Sequence, residues 1–137
     1  MLAASEAPDP GMKKMAAYVL GKLGDARALP RLKVLLDDSS ADVRWNAAIS
    51  LAELHDPAGL AVLRGMIDRA ALARQAKLTS DQEELAIVSA LQALAILKDS
   101  GTLPAVERLA REDPNLRVRD AARKTAEAMR GPTSPKP

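Results

Sequence analysis

Apolar side chains recur every three or four positions through most of this chain. In residues 42–54, Val43, Ala47, Leu51 and Leu54 fall on one stripe at about 100° per residue, which predicts an amphipathic helix. Trp45, Ile49 and Ala52 fall on the opposite stripe, so this helix is apolar on two sides. Such a helix is either sandwiched within the protein or presents its second face to a partner. The same period predicts further helices over about 11–23, 26–36, 57–76, 81–97, 100–111 and 117–129, and no alternating strand pattern competes with them.

The pattern also repeats over a longer period. The stretch GKLGDARALPRLKVLL (21–36) aligns with AELHDPAGLAVLRGMI (52–67) at a shift of 31, placing Leu23, Asp25, Leu29 and Leu32 on Leu54, Asp56, Leu60 and Leu63. A further shift of 43 reaches Leu97, Asp99 and Leu103, so that unit holds about 12 extra residues, which fit DRAALARQAKLTSD as an inserted hairpin at about 68–80. The helix DVRWNAAISL (42–51) matches RVRDAARKTA (117–126) at a shift of 75 and GMKKMAAYVL (11–20) at a shift of 31. Each unit therefore reads as two helices, A then B, joined by a short turn. Gly24 suits a helix C-terminus, Asp25, Asp56 and Asp99 suit N-caps, and Pro57 suits a first helical position. Ser80 and Glu83 predict a capping box, and Pro30 and Pro104 predict irregular helix starts.

Composition narrows the chemistry. The 137 residues suit one domain, and no apolar run approaches the roughly 20 residues of a membrane span. A net charge of +2 is too small for a field that dominates binding to nucleic acid or anionic lipid. Zero cysteines exclude disulfides and thiolate metal sites and fit a reducing compartment, so the chain is expected in the cytoplasm, or in the periplasm if a signal precedes it. With one Trp, one Tyr and no Phe, the core must be built from Ala, Leu, Val, Ile and Met.

With the units aligned, LGKLGDARALPRLKVLLDDSSADVRWNAAISLAEL (20–54) resembles the short bacterial HEAT-like repeats also found in phycobilisome-lyase-related proteins, and the resemblance covers about residues 11–130. It implies an all-α fold: an α-solenoid of about seven helices, with A helices on the convex side and B helices lining the concave side. It also implies structural Asp–Arg ion pairs, partly buried and hydrogen-bonded, six residues apart, which here are Asp38 with Arg44 and Asp113 with Arg119. The third unit departs from the pattern, with Ile87 where the Arg falls. No reaction is implied. Such arrays work as scaffolds that hold another macromolecule on the curved inner face.

On that geometry the second stripe of each B helix is an exposed concave row: Lys14, Tyr18, Gly21; Trp45, Ile49, Ala52; Val88, Gln92, Ala95; and Asp120, Lys124, Glu127. Both aromatic residues fall on it. The expected site is a protein- or peptide-binding groove made by Lys14, Tyr18, Trp45, Ile49, Val88 and Gln92, with no cofactor, no metal and no catalytic residue. The alternative is an enzyme or nucleic-acid-binding module, since the fold also occurs in bilin lyases, deoxyhypusine hydroxylase and alkylation-repair DNA glycosylases. The hydroxylase needs repeated His-Glu pairs for iron, and the single His55, followed by Asp, cannot supply them. Lys13, Lys14, Lys22, Arg117 and Arg119 are the candidates for contacting nucleic acid. His55 itself reads as a turn residue, and Met12, Met15, Met66 and Met129 as packing filler. Residues 1–10 read as a partial helix remnant or linker, so the array is expected to begin in mid-repeat, as part of a longer chain or an oligomer joined through this end. Residues 131–137 read as a disordered tail.

Overall fold

The computed structural model describes residues 28–130. Seven α-helices and no strand lie among them: α1 (Leu29–Leu35), α2 (Ala41–Glu53), α3 (Leu60–Met66), α4 (Arg69–Gln75), α5 (Ser80–Leu97), α6 (Leu103–Glu112) and α7 (Leu116–Arg130). The all-α class expected from the repeats holds. The helix expected over 11–23, the remnant at 1–10 and the tail at 131–137 lie outside the described residues. The chain forms two compact units, divided between Gly65 and Met66.

In the first unit, Pro30 sits in the first turn of α1, where its missing N–H costs no helical bond, and the helix starts irregularly after a 3-10 residue at Ala28. The core joins Ala28, Leu32 and Leu35 to Val43, Ala47 and Leu51 of α2, with Leu29, Leu36 and Leu54 packed against it. This is the stripe that the helical period selects. The other side of α2 is not open, because Trp45, Ala48, Ser50 and Ala52 are buried as well. The two-sided apolar pattern therefore marks a sandwiched helix. One contributor is the 3-10 turn Pro57–Gly59, which lies so close that a Cβ on Gly59 would stand 2.7 Å from Ala48 Cα.

The turn after α2 closes in a Schellman motif. His55 takes φ 62°, its N–H donates to Ala52 O at 2.8 Å, and Asp56 N–H donates to Leu51 O at 2.9 Å. Lys98 adopts the same left-handed conformation after α5, with φ 54°. The Asp56 carboxylate then accepts from Ala58 N–H at 2.8 Å and starts the next element, as its N-cap reading requires. Asp99 acts differently, since its carboxylate accepts from Thr102 Oγ1 at 2.6 Å rather than from a backbone N–H.

The second unit corrects two expectations. The helix expected over 57–76 is broken at Ile67–Asp68, because Asp68 is extended and its Oδ1 accepts from the N–H groups of Ala70 and Ala71, capping a separate α4. The capping box of α5 is Thr79 with Gln82, one residue earlier than Ser80 with Glu83. Helices α5, α6 and α7 pack together, with α7 against both of the others. Leu72, Ile87, Leu91, Leu94, Val106 and Val118 are fully buried. Pro104 lies in the first turn of α6 behind a 3-10 segment, the irregular start expected of it.

Candidate functional site

Helices α5 and α7 both stem from B positions of the repeat, and between them runs a groove of about 640 Å³. Gln92 and Ala95, one turn apart on α5, line one wall. From α7 come Leu116 and Arg117 at one end, then Asp120 and Ala121, then Lys124 and Thr125, successive turns of a single helix face. Ala95 and Ala121 carry only methyl groups, and Thr125 is buried with its hydroxyl donating to Leu91 O at 3.3 Å. Small side chains on facing turns leave the depression between the two helices. Leu116 remains 69% exposed at its end.

The charges around the groove are ordered by local pairs. Arg117 donates to Glu84 Oε2 at 3.3 Å, and Glu84 Oε1 accepts from Asn115 Nδ2 at 3.0 Å. The Asn115 hydrogen bond, with the single hydrogen bond and the charge of Arg117, holds the Glu84 carboxyl below the usual range against the opposing effect of burial. Lys124 Nζ stands 3.2 Å from Asp120, whose other carboxylate oxygen is bound by Arg123. The guanidinium and ammonium groups stay largely in water, with Arg117 82% and Lys124 74% exposed.

The expected site residues divide. Gln92 is exposed and lines the groove, as do Ala95, Asp120 and Lys124 of the inner rows, while Val88 lies half-buried one turn before Gln92 on the same α5 face. Lys14, Tyr18 and Gly21 lie outside the described residues. Trp45 is only 5% exposed, Ala52 is buried and Ile49 is half-buried, so that row is not the open surface expected.

In the Asp–Arg pairs each arginine reaches the main-chain carbonyl of its aspartate. Arg44 Nη1 donates to Asp38 O at 2.8 Å and to Ser39 O at 3.2 Å, and Arg119 Nη1 donates to Asp113 O at 2.8 Å. The carboxylates hold the turn: Asp38 Oδ2 accepts from Ser40 N–H and Asp113 Oδ2 from Asn115 N–H, each at 3.0 Å. The same device thus recurs at the two ends of the described array, at the sequence shift of 75 residues.

A cluster absent from the sequence reading surrounds Asp113. Arg69, at the first position of α4, donates through Nε and Nη2 to the two Asp113 oxygens and through Nη1 to Glu83 Oε1 at 2.9 Å. Burial pushes the Asp113 carboxyl up, but the Arg69 and Asn115 hydrogen bonds and the charges of Arg69 and Arg119 outweigh it and hold the group below its ordinary value. Arg69 is correspondingly raised, first by its hydrogen bond to Asp113. Arg69 belongs to the inserted hairpin, which has no counterpart in the other units, so alignment of repeats could not single it out.

Among the described residues no three His or acidic side chains converge to hold a metal ion, and no helix is long and apolar enough to cross a membrane. Residues 1–80 match the family described as HEAT repeats. No curated protein matches the chain.

Proposed function

Because this chain belongs to the HEAT-repeat family, whose repeats commonly serve as protein-interaction scaffolds, we propose that it is a non-enzymatic scaffold binding a protein or peptide in the groove between α5 and α7. The observation that carries this reading is the coincidence of two independent features. The groove lies along the inner rows picked out by repeat alignment, at Gln92, Ala95, Asp120 and Lys124. It is also lined at one end by Leu116, one of the four exposed large hydrophobics among the described residues. Small residues beside an apolar side chain already in water are the arrangement that an incoming side chain fills with little reorganisation. The cysteine-free composition supports work in the cytoplasm.

The test is a variant that fills the groove from its own floor. Ala121→Arg keeps a good helix former on α7 and places a long side chain over Ala95. Partners captured by the wild-type chain should be lost by this variant, while its circular dichroism and melting temperature stay close to wild type. Retention of every partner by a folded Ala121→Arg protein contradicts the proposal.

A further inference from the structure

Two polar clamps join the start of α5 to the turn between α6 and α7, at the groove end marked by Leu116 and Arg117. One is Glu84 with Asn115 and Arg117. Its Arg117 side chain is 82% exposed, and a solvated ion pair of that kind does little to fix a position. The other is Arg69, whose Nη1 donates to Glu83 Oε1 on α5 while its Nε and Nη2 donate to the two Asp113 oxygens. The Asp113 side chain is 2% exposed, so this fork is closed on a buried carboxylate and sets both distance and plane. Glu83 and Asp113 are thus two carboxylates gathered around one guanidinium. Without that cation, like charges face each other across the joint, and attraction between its two sides becomes repulsion. The charge of Arg119 also acts on Asp113, so the loss falls most on the α5 side.

We infer that Arg69 is a positioning residue for the groove, setting the separation of α5 and α7 at the Leu116 end from the inserted segment 68–80. This rests on the proposed binding role of the groove and adds the part of the chain that fixes its width. Arg69 is not among the lining residues, so it acts through Glu83 and the Asp113 turn. Helix α4 has seven residues and buries only Leu72, which leaves Arg69 to carry its polar tie to the other helices. Farther along the groove, α5 and α7 are joined by Thr125 Oγ1 donating to Leu91 O, a contact that does not involve Arg69. The insertion has no counterpart in the other units, so the width at this end belongs to this chain and not to the repeat in general.

The full chain has no cysteine, so pairs of nitroxide labels can be attached at introduced cysteines alone. Leu85→Cys with Leu116→Cys reports the Leu116 end, and Ile96→Cys with Glu127→Cys reports the far end, all four positions being exposed. Dipolar electron paramagnetic resonance of Arg69→Met should show the first pair more broadly distributed and farther apart, by about 1–2 Å as for a helix shift, with the second pair unchanged. Glu83→Ala opens the α5 link and leaves the Asp113 grip, so it should shift the first pair the same way but less. Arg117→Gln removes only the solvated clamp and should shift neither pair. An unchanged first pair in Arg69→Met or, should that variant not fold, in Glu83→Ala, overturns the inference. Equal shifts of both pairs, or a shift from Arg117→Gln as large as that from Arg69→Met, overturn it too. None of these results bears on whether the groove binds a partner, which Ala121→Arg tests separately.

Discussion

Arg69 grips Asp113 across 44 residues of chain with two parallel hydrogen bonds, Nε to Oδ1 at 2.9 Å and Nη2 to Oδ2 at 2.8 Å. A bidentate guanidinium–carboxylate pair fixes both distance and plane, so it ties the start of α4 to the turn that leads into α7. The Asp113 side chain is 2% exposed and that of Arg69 33%, which makes the pair half-screened. Arg69→Ala should therefore cost about 2 kcal/mol, less than the 3–5 kcal/mol of a fully buried pair, because Asn115 N–H remains as a partner for the carboxylate. Urea unfolding of the two proteins measures it, and equal midpoints would show that the grip adds nothing.

The same carboxylate gives an acid-dependent contribution. Its folded pKa lies below its unfolded value of about 3.9, so its stabilising contribution is fully present above that value and disappears as pH falls through the lower folded pKa. Wild type should lose stability below about pH 4 more steeply than Asp113→Asn, which has no carboxyl to protonate at this position. Urea midpoints measured at descending pH decide it, and parallel acid limbs contradict the assignment.

Arg119 donates to a carbonyl, at 2.8 Å from Asp113 O, and not to the neighbouring carboxylate. Replacing it by Met keeps much of the apolar stem and removes the donor. The expected loss is about 1 to 2 kcal/mol, the range of one hydrogen bond from a charged donor, where breaking a buried ion pair would cost about 3–5 kcal/mol. A chemical denaturation midpoint distinguishes these two magnitudes.

Trp45 is buried within α2, so Trp45→Ala should destabilise the chain by about 3–5 kcal/mol through lost contacts and an unfilled cavity. Gly59→Ala should also destabilise, by about 1–3 kcal/mol, since the added methyl would stand 2.8 Å from Ala48 Cβ and 2.7 Å from its Cα. Melting curves for the two variants check both. An unchanged Trp45→Ala melt would return that side chain to the surface.

Much of this was legible in the repeat. The Val43, Ala47 and Leu51 core follows from a 3.6-residue period, and the shared left-handed turn at His55 and Lys98 follows from matching positions in two units. The period could not say whether the second apolar stripe of α2 was open or covered, because both cases give the same pattern, and Trp45 was misplaced for that reason. The break before α4 was hidden because Asp68 sits in a run that keeps its apolar spacing, and only its capping bonds reveal a new start. Thr79 and Ser80 each begin a matching capping-box motif, with Gln82 and Glu83 respectively, so sequence alone left the register one residue open. The groove was half legible. Its Gln92, Ala95, Asp120 and Lys124 positions came from alignment, but the depth left by Ala121 between two helices depends on packing.

Position-specific crosslinking is the most direct measurement of the groove as a binding surface. A photoreactive phenylalanine analogue is placed singly at Gln92, at Ala121 or, as a control, at the exposed Arg111 of α6, and each protein is irradiated in native extract. Binding in the groove gives one common crosslinked partner from positions 92 and 121 and none from 111. Equal crosslinking from all three positions, or a partner seen only from 111, contradicts it.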